Sequence, residues 1–374
     1  VSYIMNSNVK NIINMSKPRL IAFYLPQYYP TKENDEWWQE GFTEWTNVGN
    51  ARPLFKGHYQ PKVPADLGYY DLRVPEVREH QVRLAREAGI EGFCYWHYWF
   101  EGRRLLDRVF KEVVENGAPD FPFCLCWANH SWYRKTWDPN KPNKLLIEQT
   151  YSGKEDYIAH FNAMLPAFKD SRYMKVNGKL IFGVFAAMDI PNQKEFFDTW
   201  NCLAKENGLE GFYFFGFTFD HQEVPIILER GFDSACIDNV MAVSSTQNIV
   251  SRFMWRLIKK ITKIPNLISY DEYTKLFQKL YEVNDRIHPC IVPNFDHSPR
   301  SRHRGTIIVE SSPNKWKQFC KSIFSKVKNR KQEENIVFIK AWNEWGEGNY
   351  LEPDLKYGKQ FIEATREALD NFER

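Results

Sequence analysis

Eight short apolar runs alternate with helix-forming stretches along this chain, and that alternation limits the possible fold more than any other feature. The runs are rich in β-branched and aromatic residues, as buried strands are. They cover residues 19–28, 89–99, 121–129, 179–187, 211–219, 232–239, 289–295 and 336–341. Amphipathic stretches, among them 72–88, 105–116 and 193–207, separate most of them. Eight alternating units of this kind predict an α/β fold closed into a (β/α)8 barrel.

A doubly wound open sheet is the alternative architecture. It is disfavoured because LPQYYP follows the first run, where a dinucleotide-binding sheet would carry GxGxxG. At 374 residues the chain suits one barrel with elaborated loops at its C-terminal face. We expect a lead-in over residues 1–18 and a single catalytic domain over 19–374. A long insertion, 30–71, is rich in tryptophan and is expected to fold over the barrel mouth.

Composition narrows the choice of partner and compartment. A net charge of only +3 gives no reason to expect a nucleic-acid partner, whereas 16 % aromatic residues suit the apolar faces of sugar rings. The seven cysteines have no regular spacing and lie mostly in apolar runs, which indicates buried thiols in a reducing compartment. Residues 1–17 lack the apolar core of a secretory signal, so we expect a cytoplasmic protein.

Two basic amphipathic segments, 251–263 and 315–331, carry lysine and arginine on one face and apolar residues on the other. Outer barrel helices are the favoured interpretation of both segments. Such helices can also contact an anionic membrane surface, so peripheral membrane contact is the alternative.

The last apolar run leads into two glutamates, Glu344 and Glu347, between tryptophans and glycines. In a helical turn, residues three apart have Cβ atoms about 5 to 6 Å apart, near the spacing of about 5 to 5.5 Å of the carboxyl pair in retaining glycosidases. Carboxylates this close raise the pKa of one partner, which yields one acid and one base. The alternative is that they cap the final helix, 357–372, but a cap needs no aromatic surround.

Polar residues among aromatic rings also follow other runs, and in a barrel all of these ends meet at one mouth. No HExxH, CxxC pair, nucleotide-binding P-loop or GxSxG motif is present, so neither a metal nor a cofactor is expected. The predicted substrate-binding residues are Tyr24, Glu44, Trp45, Tyr70, Trp96, His97, Trp99, Trp127, Asn129, Trp132, Asn294, Asp296, Trp342 and Asn343.

Long motifs between residues 19 and 353 resemble the WbsX family, labelled glycosyltransferases of polysaccharide and O-antigen clusters. They include RLIAFYLPQYYP, GHYQPKVPADLGYYDLR, YWHYWFEGRRLLD, FPFCLCWAN, NFDHSPR and AWNEWGEGNYLEPD. That family is similar to glycoside hydrolase family 99, the retaining endo-α-mannosidases and endo-mannanases. The resemblance implies that Glu344 acts as base on a substrate 2-hydroxyl, forming a 1,2-anhydro sugar, and that Glu347 is the general acid/base.

Two departures from the family patterns bear on the substrate. The hydrolases usually have histidine where this chain has Gly346, and the WbsX pattern usually continues with Glu-Asn where His130 and Ser131 stand. We therefore expect a retaining, endo-acting hydrolase of an α-linked, mannose- or rhamnose-like bacterial polysaccharide. The alternatives are a cytoplasmic glycosyltransferase of O-antigen or capsule synthesis and an inactive carbohydrate-binding barrel.

Overall fold

The computed structural model describes residues 16–134, 143–240 and 264–373, and its centre is a closed parallel barrel. Each strand pairs with the next in sequence order, and Arg19 of the first strand lies beside Ile336 of the last, which closes the ring. The strands are β1 Arg19–Tyr24, β2 Gly92–His97, β3 Phe123–Trp127, β4 Lys179–Val184, β5 Phe212–Thr218, β6 Ser234–Ile237, β7 Ile287–Ile291 and β8 Ile336–Ile339. The predicted (β/α)8 barrel is confirmed.

A helix follows every barrel strand. These helices are α1 Pro75–Ala88, α2 Arg108–Asn116, α3 Lys154–Phe168, α4 Gln193–Glu206, α5 Val224–Glu229, α6 Tyr270–Leu280, α7 Pro313–Val327 and α8 Gln360–Asp370. The helix predicted from residue 72 begins later, at Pro75, because proline is tolerated in the first turn of a helix. It ends before Gly89, whose φ of 83° is the left-handed conformation that glycine adopts at low cost.

Aromatic rings fill the inside of the barrel. Phe23 stacks on Trp96 with ring centroids 4.6 Å apart, and Phe338 packs against both Phe23 and Phe215. A side chain at Gly183 would collide with the ring of Phe215, so this position on β4 leaves room for the ring. Many of the aromatic residues therefore build the core, as a large barrel requires.

Short elements elaborate both ends of the barrel. Three hairpins pair Trp99–Phe100 with Arg103–Arg104, Trp132–Arg134 with Lys144–Ile147, and Asn343–Glu344 with Asn349–Tyr350. Asn266–Ser269, Thr306–Val309 and Phe295–Asp296 form a separate small sheet, and Lys175–Val176 pairs with the start of β4. Among the described residues, the other helices are Lys32–Trp37, Glu44–Asn50 and Ser298–Ser301, with 3-10 turns at His221–Glu223, Arg302–Arg304, Gln332–Glu334, Trp345–Glu347 and Asn371–Glu373.

The insertion over residues 30–71 is ordered by caps and by contacts with the loops after β7 and β8. Thr31 and Thr43 cap its two helices with their hydroxyl groups. Further along, the Nε2 atoms of His58 and Gln60 contact Asp296 at 2.8 and 2.6 Å, and Lys62 Nζ donates to the Gly348 carbonyl. The insertion is thereby fastened beside the turn that carries the two glutamates.

The structure describes only one of the two basic amphipathic segments. Residues 251–263 lie outside the described residues. Residues 315–331 correspond to α7, whose apolar side, including Trp316, Phe319 and Ile323, is buried against the protein, as in an ordinary outer barrel helix. Within the three described ranges, no helix is both long and apolar enough to cross a membrane.

Candidate active site

The two glutamates lie on a tight hairpin just after β8. Glu344 ends the strand Asn343–Glu344, and the chain then makes a 3-10 turn, Trp345–Glu347, before returning as Asn349–Tyr350. Gly348 follows the turn with φ of 53°, and a Cβ there would collide with Asp296 and Lys62. The turn keeps both acidic side chains on one side of the hairpin, where the insertion and the loop after β7 surround them.

One guanidinium group contacts both glutamates. Nη1 of Arg300 lies 2.7 Å from Oε1 of Glu347 and 3.4 Å from Oε1 of Glu344. The two oxygen atoms can be no farther apart than those two distances together, so a single guanidinium group bridges the two carboxyl groups. Nε of Arg300 also donates to Glu44, whose other oxygen accepts from Gln27.

Lys340, the residue directly after β8, places a second cation beside Glu347. Nζ of Lys340 lies 3.3 Å from Oε2 of Glu347 and 3.7 Å from Oδ2 of Asp238. Burial alone would lower the pKa of Lys340, but Glu347, Glu344 and Asp238 together raise it, so the lysine stays charged. Asp238 lies just after β6 and is fully buried, which raises the pKa of its carboxyl group.

The pKa values of the two glutamates are shifted in opposite directions. Burial and the charge of Glu347 raise the pKa of Glu344, and Lys340 and Arg300 offset this only in part. Burial also opposes ionisation of Glu347, but Lys340, Arg300 and His297 hold its pKa below the usual range. At pH values between the two shifted pKa values the pair holds one proton, and the surrounding charges place that proton on Glu344.

A third buried carboxyl group supports the hairpin from behind. Glu352 accepts hydrogen bonds from the Tyr70 hydroxyl, the Gln81 amide and the Trp345 indole at 2.6 to 2.9 Å. The Tyr28 hydroxyl contacts the same turn, since it donates to the Asn343 carbonyl and accepts from the Trp345 N–H. These bonds fix the backbone on both sides of Glu344.

All three of the predicted sugar-binding asparagines form hydrogen bonds that join neighbouring loops. Each places its side-chain amide against the N–H and C=O of a single residue, as another peptide group would. Asn129 bonds to Ala186 in this way, Asn294 to Tyr350, and Asn343 to Leu25. The three amides thus connect the loops after β3 and β4, after β7 and β8, and after β8 and β1. Their hydrogen-bonding atoms are used in holding the mouth together.

Most of the predicted stacking residues are buried. Tyr24 donates to Gln81, Tyr70 to Glu352, and Trp99 to Asp156, while Trp127 donates to the Trp99 carbonyl. Trp96 stacks on Phe23 inside the barrel, and Trp342 has no exposed surface. Of the predicted aromatic residues, Trp45 and Trp132 retain partial exposure.

His97 and Asp296 also have internal partners. Nε2 of His97 lies 2.7 Å from Nε2 of His160, and burial lowers the pKa of His97 to about 3, so the ring is neutral. Asp296 contacts His58, Gln60 and the Ser298 N–H. The structure therefore brings Glu344, Glu347 and Glu44 together around Arg300, while most other predicted residues form the frame of this cluster.

Several residues of the cluster were not predicted. Arg300 ends the motif NFDHSPR and Lys340 directly precedes the motif AWNEWGEGNYLEPD, but nothing in their local sequence shows that they meet the glutamates. Asp238 lies near the C-terminal end of the predicted run 232–239, which is the one signal that could have drawn attention to it. Glu352 has no such signal, because its three donors come from distant segments or from the turn itself.

A cavity of about 330 Å³ lies at the opposite end of the barrel, beside the starts of β1 and β2. Its lining includes Arg19, Arg86 and Arg366, whose guanidinium groups already donate to backbone carbonyls. The acidic pair and this cavity are therefore separate features of the barrel.

A closed parallel barrel with paired carboxyl groups at its C-terminal mouth is the arrangement of TIM-barrel glycosidases. Solved structures agree on the fold. A glycoside hydrolase-like protein superposes with a TM-score of 0.58 at 13 % identity, covering 98 % of this chain and 97 % of the other. The GH99 endo-alpha-mannosidase from Bacteroides thetaiotaomicron, in complex with BIS-TRIS-propane, gives a TM-score of 0.55 at 14 % identity, with 95 % and 97 % coverage.

The family model for glycosyltransferase WbsX matches residues 20–365, and the chain belongs to that family. The protein WxcX of Xanthomonas campestris pv. campestris (strain B100) is 34 % identical over 367 residues, which is 94 % of this chain and 49 % of WxcX. The chain thus spans about half the length of the curated relatives it matches.

Proposed function

We propose that this protein is a retaining, endo-acting glycoside hydrolase of an α-linked, mannose- or rhamnose-like polysaccharide. The observation that carries the proposal is the pair Glu344 and Glu347, which share one guanidinium contact and have pKa values shifted in opposite directions. Such a pair supplies an acid and a base at the same pH. The retaining outcome and the choice of sugar both come from the similarity to family 99.

The proposed mechanism requires the shared proton to move from one glutamate to the other. In the protein without substrate the proton belongs to Glu344, whereas the roles implied by the resemblance need it on Glu347 when the glycosidic bond breaks. Release of Glu347 by Arg300 would raise the pKa of Glu347 and let the proton move there. Glu344 could then accept the proton of a sugar 2-hydroxyl while Glu347 protonates the leaving oxygen.

The proposal is tested on α-mannan and on a rhamnose-rich polysaccharide, with product anomers followed by NMR. Wild-type protein should release oligosaccharides whose first-formed anomer matches that of the polymer. Glu347→Gln and Glu344→Gln should each lower turnover by about 10² to 10⁴. Glu363→Gln removes an exposed carboxylate on α8 and is the matched control. Unchanged turnover in either active-site variant would refute the assignment.

Substrates with different leaving groups separate the two roles. A variant that lacks the general acid should retain most activity on an aryl glycoside with a good leaving group and lose it on an alkyl glycoside. We expect this behaviour for Glu347→Gln. If Glu344→Gln shows it instead, the proton stays where the free protein holds it, and the roles of the two glutamates are reversed.

The family description favours a second candidate, a glycosyltransferase that builds an O-antigen or capsule repeat. Binding of labelled sugar nucleotides distinguishes it, since a hydrolase should bind none of them. Transfer of label to a lipid-linked acceptor would replace the hydrolase proposal.

A further inference from the structure

The hairpin that carries the acidic pair has two different faces. Asn343 and Tyr350 are directly opposite each other and share one face. Glu344 and Asn349 are also opposite each other, and they share the other face because successive residues of a strand alternate in direction. On the first face the Asn343 amide bonds to the loop after β1, and the Tyr350 hydroxyl donates to Asp354. The polar side chains of that face therefore have partners.

The second face holds three buried polar atoms that have no partner. Asn349 has no exposed surface, and neither Oδ1 nor Nδ2 of its amide has a hydrogen-bond partner among the described residues. The same is true of Oε2 of Glu344. Opposite residues of an antiparallel pair have Cβ atoms about 4.5 to 5.5 Å apart. Rotation of the two side chains therefore suffices to bring the amide against this carboxyl oxygen.

Asn349 differs in this respect from the three asparagines that join the loops of the mouth. The amides of Asn129, Asn294 and Asn343 each bond to the N–H and C=O of another loop. A buried amide without a partner costs stability, and folded proteins contain few of them. The unpaired amide of Asn349 beside Glu344 thus indicates a hydrogen bond that forms during function and not in the free protein.

The other groups around Glu344 supply charge but leave Oε2 without a donor. Nη1 of Arg300 lies 3.4 Å from Oε1, the other oxygen of this carboxyl group. Asp238, at the end of β6, contacts Lys340 and not Glu344. The charged and titratable groups that face Glu344 come from the turn, the residue after β8, the loop after β7, the insertion and the residue after β2, and they are Glu347, Lys340, Arg300, Glu44 and Tyr98. An ionised Glu344 needs a donor for Oε2, and Nδ2 of Asn349 is an unpaired donor on the same face.

We propose that Asn349 is a positioning residue for Glu344, and that Nδ2 of its amide donates a hydrogen bond to Oε2 once that carboxyl group is ionised. The place of this contact in catalysis rests on the proposed function, in which the shared proton moves to Glu347 and Glu344 then accepts a proton from a sugar hydroxyl. Hydrogen bonds to an ionised group are roughly twice as strong as those between neutral groups. The amide therefore stabilises ionised Glu344 more than protonated Glu344, which opposes the effect of burial.

The test compares two substitutions of similar shape. Threonine and valine both suit a strand, but only threonine keeps a hydroxyl donor. Carboxyl NMR titration follows Glu344, identified as the signal that disappears in Glu344→Gln. Asn349→Val should raise the pKa of Glu344 by about one unit, because the bond that is lost is stronger to the charged form than to the neutral form. Asn349→Thr should show no more than about a third of that rise, and thermal melting checks that both variants are folded.

Turnover measures the role in catalysis separately. If Glu344 is harder to ionise by one unit, Asn349→Val should lower kcat on the polysaccharide about tenfold at a pH below the pKa of Glu344. Asn349→Thr should restore most of this loss. KM should change little in either variant, because the amide contacts the carboxylate and not the sugar.

The possible results separate this proposal from the proposed function. An unchanged pKa of Glu344 in Asn349→Val would overturn the positioning role, as would an equal rise in both variants, which would indicate altered packing and not a lost donor. A raised KM with unchanged kcat would make Asn349 a sugar contact and would also overturn it. If the NMR titrations give the expected pattern but the wild-type chain cleaves no polysaccharide, the hydrolase proposal fails while the contact between Asn349 and Glu344 stands.

Discussion

Replacing Glu352 by glutamine should change how the stability of the protein depends on pH. The carboxyl group is buried and accepts three hydrogen bonds, from Tyr70, Gln81 and Trp345. Burial favours the protonated form and the three donors favour the ionised form. Burial is the stronger of the two, and the pKa of Glu352 rises to about 7 from an ordinary value of 4.5.

The sign and size of the effect follow from linkage. Below about pH 4 the carboxyl group is protonated in both the folded and the unfolded chain and contributes nothing. Between about pH 4.5 and 7 the unfolded chain loses its proton first, so the folded state loses stability as the pH rises. Above pH 7 the full loss is about 3 kcal/mol, since a tenfold change in proton affinity corresponds to about 1.4 kcal/mol. Glu352→Gln carries no such proton and should not show this loss.

Urea unfolding followed by tryptophan fluorescence, from pH 4 to pH 8.5, measures the difference in free energy of unfolding between wild type and variant. Other carboxyl groups titrate in both proteins, so their contributions largely cancel. Relative to the variant, the wild type should lose about 3 kcal/mol across this range. The amide introduced by Glu352→Gln can keep the bonds from Tyr70 and Trp345 while Gln81 turns over, and any resulting offset is independent of pH. A constant difference, or a wild type that gains stability as the pH rises, would refute the reasoning.

Two further predictions concern the frame and charges of the site. Lys340→Met leaves the buried Asp238 without its cation and removes one of the cations beside Glu347, so urea unfolding at pH 7 should show a loss of about 3 to 5 kcal/mol. Lys317→Met, which breaks a more exposed pair with Glu367, should lose less than about 1 kcal/mol. Carboxyl NMR titration of the Lys340→Met protein should also show a raised pKa for Glu347, and an unchanged value would remove the lysine from the electrostatic account. Asn294→Ala leaves the N–H and C=O of Tyr350 without partners and should destabilise the protein by about 2 to 4 kcal/mol, whereas a neutral result would mean that the amide does not hold the loop.

The barrel could be predicted from sequence because each strand is encoded locally. An apolar run such as residues 336–341 forms a buried strand almost regardless of its neighbours, and the order of runs and helices then leaves few topologies. Strand ends were less certain because aromatic residues continue past the strands into the mouth. Phe219, for example, belongs to a predicted run but lies beyond the end of β5.

The site could be predicted only in part, because its contacts join distant segments. Glu344 and Glu347 were found because they are three residues apart. Arg300 is 44 and 47 residues away from them, and no local pattern links these positions. The asparagines were assigned to sugar hydroxyls because the sequence does not reveal which backbone groups lack partners at the ends of barrel strands. An asparagine there can satisfy a neighbouring loop as readily as a ligand.

Arg300 is more exposed to solvent than Glu344, so a substrate should contact the arginine first. The side chain of Arg300 is 23 % exposed and that of Glu344 only 8 %, so an entering sugar meets the guanidinium before it reaches the inner glutamate. Oε2 of Glu344 is buried and has no hydrogen-bond partner among the described residues. A buried acceptor of this kind is favourable only when protonated or when a donor arrives. Displacement of Arg300 by a sugar would release Glu347 from its shortest contact and so couple substrate entry to movement of the shared proton.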